Sequence, residues 1–456
     1  MEGLFGARGI VLAAVVGPAS FGVWALFRLA LRYGAFAALG IHQGTEVQVA
    51  GAKATSPDSA NRHFGRATTG YLLVVYLPLG ALAVAASFGF GSPARETLWA
   101  VAAGLVIERL WVYGSSYLRA DGHLRRYAIV ELVQASLSLI LTVSLALQWG
   151  LVGAYLGFLI ALASSLLLLA RSVPFRPKIA PHSIRRLLRV GVPMSVAAVA
   201  ATLLATVDRL IVAGFEGTEA LGFYAFAVAS SGLGASAALA VRTVVFPDVY
   251  AHARREGGVQ AAENHLRDTV LPVAHLLPPL LGFVALGLGP VVALIAPRYV
   301  EVLPVARIFI FTGVASGIMN LGALGLVAAE RQRLLPLVTF IGLTFNAFAG
   351  AAALLGGLGL AGVATGALVS RSLTGVGIVA ITSSGPGISH VARLLVPLLW
   401  PLAWCAGVVA LIGWLRPGVG LATTGVSVLL YFVALAPLVP KLAQGLGRLD
   451  RQGHAG

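Results

Sequence analysis

The sequence predicts an all-α polytopic membrane protein, and three observations support this fold class. The 456 residues have a mean hydropathy of +0.90, with 58% hydrophobic and 11% charged residues. Almost any window of roughly 20 residues is apolar enough to cross a bilayer as a helix. No polar segment between these windows is long enough for a soluble domain, which argues against a separate catalytic or nucleic-acid-binding module.

We expect about fourteen transmembrane helices, with ends placed to within a few residues. The expected spans are residues 4–17, 18–40, 68–90, 96–118, 127–148, 150–171, 189–214, 219–246, 270–295, 302–329, 334–355, 359–381, 391–415 and 418–440. The first span rises only about 21 Å, short of the roughly 30 Å hydrocarbon core. We therefore expect either a truncated first helix or a native start upstream of Met1.

An internal repeat relates the two halves of the chain. Residues 17–24 match residues 217–224 at an offset of 200, and residues 150–157 match residues 359–366 at an offset of 209. Ala120-Asp121 matches Ala329-Glu330 at the same offset of 209. Six predicted spans separate corresponding points, and because six is even, both copies have the same orientation. This pattern predicts two parallel six-helix lobes plus two C-terminal helices.

The repeat and the loop composition together predict four parts of the chain. These are an N-terminal lobe over 1–171, a cytoplasmic linker over 172–188, a C-terminal lobe over 189–382, and the last two helices with a tail over 383–456. In the linker, Ser183 begins a basic amphipathic stretch that suits anionic lipid headgroups. The loops 46–67 and 247–268 occupy equivalent positions in the two copies.

The distribution of Lys and Arg predicts the orientation. Alternate loops and the tail hold 21 of these residues on one side and three on the other. The positive-inside rule then places both termini in the cytoplasm, and an even number of spans agrees with termini on the same side. The net charge of +15 is accordingly interpreted as a topology signal and not as a nucleic-acid site.

Charged residues inside the predicted spans are the candidate functional residues, because they are costly in a bilayer. The candidate substrate-binding residues are Arg28, Arg32, Arg109, Arg209, Arg242 and Arg371. Glu108 and Asp208 are the candidate ion-coupling acids. The arginines outnumber the acids, and guanidinium groups suit phosphate. The pattern therefore favours an anionic substrate, and a polyprenyl diphosphate fits a cationic cavity with its tail left in lipid.

Structural alternatives remain for four of these positions. Arg242 lies near a predicted cytoplasmic end, where its side chain can snorkel to water. Asp208 and Arg209 together can form a structural anchor, and Glu108 can neutralise an arginine of a neighbouring helix.

The sequence holds no motif that predicts an enzyme. It lacks a P-loop, HExxH, CxxC and G-x-S-x-G, and we expect no catalytic residue, metal or cofactor. The single cysteine, Cys405, cannot form a disulfide within one chain. Without an ATP site, an ion gradient or the substrate gradient must drive any transport.

Several motifs are similar to those of the Wzx-type polysaccharide flippases of the multidrug/oligosaccharidyl-lipid/polysaccharide exporter superfamily. They are the GPxxFG turn over residues 17–22, Tyr33, Leu39-Gly40, the GVP sequence over 191–193, Asp208-Arg209, and the EALGxY turn over 219–224. The layout of fourteen spans in two lobes covers essentially the whole chain.

The resemblance implies a flippase that moves a lipid-linked oligosaccharide diphosphate across the bacterial cytoplasmic membrane by alternating access. Its partners would be membrane lipid, H⁺ or Na⁺, and polysaccharide polymerase and glycosyltransferases, with no nucleic acid. An ion-coupled multidrug or metabolite antiporter of the same superfamily is the first alternative. A scaffold of a polysaccharide synthesis complex that transports nothing is the second.

Overall fold

The computed structural model describes residues 2–53, 58–232, 235–238, 241, 258–382, 388–415 and 418–438. These residues contain helices and no strand, which confirms the all-α class. The α-helices are α1 (Glu2–Val16), α2 (Pro18–Gly34), α3 (Ile41–Lys53), α4 (Asp58–Ser87), α5 (Ala94–Ala120), α6 (Leu124–Leu169), α7 (Pro181–Phe215), α8 (Gly217–Ala229), α9 (Gly258–His265), α10 (Leu271–Ile295), α11 (Leu303–Ala328), α12 (Leu335–Leu355), α13 (Gly359–Thr382), α14 (Ile388–Leu415) and α15 (Leu421–Ala434). Short 3₁₀ helices and one π turn connect some of them.

Nine helices of the described residues are long and apolar enough to cross a membrane, or ten when the bent pair Pro18–Ala38 and Ile41–Gly51 is one span. The predicted spans 4–17, 96–118 and 219–246 are not among them, and 127–148 and 150–171 both fall on α6. The multi-pass helical fold is confirmed, and the number fourteen stays a prediction.

Helix α6 is two helices joined at a sharp break. Trp149 and Gly150 have non-helical backbone angles, and Gly150 has φ of 57°. A Cβ on Gly153 or Gly157 would overlap the backbone of the preceding half of α6. These glycines therefore allow the close packing that small residues at this spacing predict.

The backbone supports the internal repeat. Gly17 and Gly217 have φ of 77° and 83°, and Gly150 and Gly359 both have φ of 57°. Such positive values favour glycine. Each matched pair therefore has a glycine at positive φ at the same position of the two copies.

One matched pair needs a correction of one residue. The turns after α5 and α11 place Gly122 and Glu330 at positive φ, an offset of 208 (330 − 122). The amide of His123 donates to Leu118 O in the first copy, and the amide of Arg331 donates to Leu326 O in the second. This helix-ending turn needs one left-handed residue. It therefore aligns Gly122, rather than Asp121, with Glu330.

Two predicted connections contain helix. The expected loop 46–67 holds the end of α3 and the start of α4. Thr45 and Val49 of α3 are buried, so packing of one face stabilises the helix there. In the expected linker 172–188, α7 already begins at Pro181 and continues past Pro193. Leu187 is fully buried, so packing of one face extends the helix towards the N-terminus. Of the expected loop 247–268, residues 247–257 lie outside the described residues, and α9 begins at Gly258.

The chain divides into two compact units, Gly3–Thr202 and Leu203–Gly456. In the first unit, α5 is the central helix and packs against α2, α3, α4 and α6. In the second unit, α11 is central and packs against α8, α9, α10, α13 and α14. The four-part domain division made from the sequence stays a prediction.

Candidate functional site

A bend between α2 and α3 shapes the first unit. The axis turns by 57° between Pro18–Ala38 and Ile41–Gly51. Leu39 and Gly40 have φ of 48° and 73° at the bend. A Cβ on Gly40 would overlap the carbonyl oxygen of Gly191, and a Cβ on Gly191 would overlap that of Gly40. These two glycines therefore let α7 pack directly on the bend.

A cavity of about 250 Å³ lies at this bend, within the first unit. It is lined by Arg28, Arg32, Ala35, Phe36, Gly40, His42, Gln43, Glu108, Arg109, Ser195, Ala198 and Thr202. Three guanidinium groups and one carboxylate make its lining formally cationic when His42 is neutral. The volume is below the roughly 300–1,000 Å³ of pockets that enclose a whole drug-sized ligand, so the cavity suits a small polar group.

Glu108 connects two arginines of the cavity. Its Oε1 lies 3.5 Å from Arg28 Nη1, and its Oε2 lies 3.3 Å from Arg109 Nη2. The Arg109 side chain is only 9% exposed, whereas that of Arg28 is 32% exposed. The prediction that Glu108 neutralises an arginine of a neighbouring helix therefore agrees with its position beside Arg28 of α2.

Sequence reasoning missed a buried arginine in α1. Arg8 donates to the Ser138 hydroxyl, and its guanidinium lies 5.8 Å from the ring centroid of Trp24 and 5.5 Å from that of Phe158. The Arg28 guanidinium also lies over the ring of Phe158, 4.5 Å from its centroid. The missed signal was an arginine in the middle of the first apolar stretch.

A different polar cluster lies inside the second unit. Asp208 of α7 is fully buried. It accepts a 3.0 Å hydrogen bond from the Tyr224 hydroxyl and lies 3.9 Å from Nη2 of Arg371. Arg371 also donates to Ala205 O, and Asn346 Nδ2 donates to Leu204 O. The cluster therefore ties α8, α12 and α13 to one stretch of α7.

Arg209 and Arg242 are the remaining predicted residues. The amide of Arg209 donates to Asp208 Oδ1, and its side chain is half-buried. Arg242 lies outside the described residues. Sequence reasoning also missed Arg307 of α11, whose Nε donates to Ala285 O. The signal for it was again an arginine inside an apolar helix.

The structure thus groups the predicted residues into two sets. Arg28, Arg32, Glu108 and Arg109 share one cavity of the first unit. Asp208 and Arg371 pair in the second unit, with Arg209 next in sequence to Asp208. The roles assigned to all of these residues stay predictions.

Solved structures with the same fold are membrane transporters. The lipid II flippase MurJ, in an inward closed conformation, has a TM-score of 0.72 at 13% identity, covering 98% of this chain and 97% of its own. An inward-facing multidrug resistance MATE family transporter of the MOP superfamily has a TM-score of 0.65 at 14% identity, covering 86% and 95%. A MATE structure in the straight conformation has a TM-score of 0.60 at 15% identity, covering 86% and 93%.

The remaining comparisons concern sequence. No curated protein matches the chain. The model of the family described as polysaccharide biosynthesis protein matches residues 11–304, which is more than half of the chain. The chain belongs to the polysaccharide biosynthesis protein family, and it has the fold of the MATE and MurJ transporters.

Proposed function

We propose that this protein is a flippase for a cell-surface polysaccharide precursor, an undecaprenyl-diphosphate-linked oligosaccharide. The arginine cavity of the first unit is the observation that carries this proposal. Its three guanidinium groups exceed its one carboxylate, as the negative charge of a diphosphate requires. Guanidinium groups bind phosphate oxygens through charge-assisted, often bidentate hydrogen bonds.

The proposed cycle assigns a role to each predicted residue. Arg28, Arg32 and Arg109 bind the diphosphate from the cytoplasmic side, while Arg209, Arg242 and Arg371 contribute further positive charge. The carrier then alternates to the outer leaflet, and an acid, Glu108 or Asp208, exchanges H⁺ or Na⁺ to reset it. The geometry favours Glu108 for this exchange, because Asp208 is fully buried and already contacts Tyr224 and Arg371.

The two alternatives make different demands on the cavity. A multidrug antiporter for cationic drugs needs an excess of carboxylates, and the lining holds one. A scaffold that transports nothing needs no arginines at cavity positions. Replacement of the cavity arginines therefore distinguishes the flippase from both alternatives.

The test replaces two cavity arginines together in the Arg28→Ala, Arg109→Ala double variant. The full-length protein, reconstituted in liposomes, is assayed for movement of a polyprenyl-diphosphate-linked sugar between leaflets. Hydrogen bonds to charged groups contribute about 1.5–3 kcal/mol each, so the loss of two predicts a fall of at least about 100-fold in rate. In cells that depend on the protein, surface polysaccharide should disappear while the amount of membrane-inserted protein stays the same.

A matched control uses arginines of the same unit outside the cavity. Arg95 pairs with Glu96 at one end of α5, and Arg119 lies near Glu46 at the other. Their alanine variants should retain flipping and export. Wild-type rates in the double variant would contradict the proposal, and loss of drug-cation efflux in its place would favour the antiporter.

A further inference from the structure

The carboxylate of Glu108 lies between two arginines of the cavity. One of its oxygens faces Arg28 and the other faces Arg109. The two guanidinium groups come from different helices, α2 and α5, so one planar anion spans the gap between them. A phosphate group presents oxygens to two cations in the same manner.

The two ion pairs of Glu108 leave polar atoms of the site without hydrogen bonds. The distances of 3.5 and 3.3 Å exceed the roughly 2.7–2.9 Å of strong charge-assisted hydrogen bonds. Arg28 Nη1, Arg109 Nε and Glu108 Oε2 are buried and have no hydrogen-bond partner among the described residues. Buried donors without acceptors are costly, so an anion with more oxygens than one carboxylate would satisfy this site better.

The other charged and titratable groups around Glu108 are mostly cationic. They come from four helices and are Arg8 of α1, Arg28 and Arg32 of α2, His42 of α3, and Tyr76 of α4, in addition to Arg109 beside it in α5. Without a carboxylate, Arg28 and the largely buried Arg109 would lie near each other as uncompensated like charges. Glu108 thus offsets a repulsion when no other anion is present.

We propose that Glu108 is an internal surrogate for the substrate phosphate: it holds Arg28 and Arg109 in position in the empty carrier and is displaced when a diphosphate binds. This inference rests on the proposed function and adds a consequence to it. The substrate must compete with a tethered carboxylate, which weakens binding and allows release on the other side of the membrane. Glu108 is then a positioning residue that sets the balance between affinity and turnover.

The decisive experiment compares Glu108→Gln with the wild type in binding and in transport. Farnesyl diphosphate is titrated into the purified full-length protein in detergent by calorimetry, with farnesol as the phosphate-free control. Because glutamine keeps the shape and removes the competing charge, the Kd for farnesyl diphosphate should fall about tenfold. The flipping rate at saturating substrate should fall both because a tightly held substrate leaves slowly and because glutamine cannot exchange H⁺ or Na⁺, so the Kd is the readout that tests this inference.

The matched control is Glu46→Gln. Glu46 Oε1 lies 3.5 Å from Arg119 Nε in the same unit, outside the cavity lining, and this variant should bind like the wild type. A purely structural role for Glu108 predicts the opposite sign, with weaker binding once the arginines lose their support. A Kd in Glu108→Gln that equals or exceeds the wild-type value therefore overturns the inference while leaving the flippase proposal intact.

A second measurement on the wild type covers the case in which Glu108→Gln does not fold. A hydrophobic carbodiimide modifies accessible carboxyl groups, and mass spectrometry reports the modified fraction of Glu108. Displacement by farnesyl diphosphate predicts increased modification, and an unchanged or reduced fraction contradicts it. If neither wild type nor variant binds farnesyl diphosphate, the proposed function itself fails.

Discussion

Helix α7 belongs to both units, and each unit holds its part of the helix by a different physical device. In the first unit, α7 approaches the bend between α2 and α3 through direct backbone contact at Gly40 and Gly191. In the second unit, its buried Asp208 reaches Tyr224 and Arg371. The first contact joins uncharged backbone atoms, whereas the second pairs two buried charged side chains. We therefore expect the charge available to a ligand to be concentrated in the first unit, where Arg28, Arg32 and Arg109 line a cavity with one carboxylate.

The repeat makes this contrast sharper. At the offset of 200, Asp208 corresponds to Arg8 and Tyr224 corresponds to Trp24. Asp208 accepts a hydrogen bond from Tyr224, and Arg8 lies over the ring of Trp24. The same two positions of the repeat therefore hold a buried charge against an aromatic residue in both units, with the sign reversed. Each aromatic partner matches the charge it faces, a hydroxyl donor for an anion and a π face for a cation.

The largest effect is expected at the ion pair of the second unit. Arg371→Ala leaves Asp208 buried without a cation, which typically costs about 3–5 kcal/mol. The thermal unfolding temperature of the purified protein should fall strongly, and the variant with Asp208→Asn added should be more stable than Arg371→Ala alone. If Arg371→Ala and the double variant Arg371→Ala, Asp208→Asn are equally stable, the Asp208 charge is not coupled to Arg371.

An intermediate effect is expected at the glycine contact of the first unit. Gly191→Ala places a methyl group against the carbonyl of Gly40, and overpacking of this kind costs about 1–3 kcal/mol. Gly214→Ala in the same helix is the matched control, because a Cβ there has no neighbour within 4 Å. The thermal unfolding temperature and the flipping rate should fall in Gly191→Ala and stay at the wild-type values in Gly214→Ala. A variant with unchanged stability would argue against close contact at this position.

The smallest effect is expected from the loss of the Tyr155 hydroxyl, which is best measured beside the loss of the Tyr224 hydroxyl. Tyr224→Phe removes the donor to the Asp208 carboxylate, a charged bond of about 1.5–3 kcal/mol. Tyr155→Phe removes a 2.8 Å bond to the Thr97 hydroxyl, a neutral bond of about 0.5–1.5 kcal/mol. Denaturation of the two variants in the same detergent should rank Tyr224→Phe as less stable. The reverse order would contradict a charged Asp208 in the folded protein.

Much of the fold was predictable from residue patterns. Long apolar stretches predict helices, because backbone groups in lipid must bond within their own segment. The separation of 127–148 from 150–171 agrees with the break at Trp149 and Gly150, since glycine tolerates the positive φ found there. The start of α7 was misplaced because its first turns are polar on the outside, and only packing of Leu187 extends the helix.

The candidate residues were recognisable one by one, but not their grouping. Arg28 and Arg109 stood out because a charge in a bilayer is costly. Nothing in their spacing indicated that Glu108 lies between them, or that Asp208 pairs with Arg371 across 163 positions (371 − 208). Arg8 and Arg307 were missed although each is an arginine inside an apolar stretch, and only the structure shows their partners, an aromatic face and a backbone carbonyl.

By itself the sequence determined the class of this protein, a helical membrane protein with a repeat and an excess of buried arginine. Hydrophobicity and helix periodicity are local properties, so they are readable along the chain. Only the tertiary structure decided which charges share a cavity and which neutralise each other. That outcome depends on the bend at Gly40, on the approach of α7 and on the distances between side chains from different helices. Electrostatic interaction falls with separation in space, and positions in the sequence do not measure that separation.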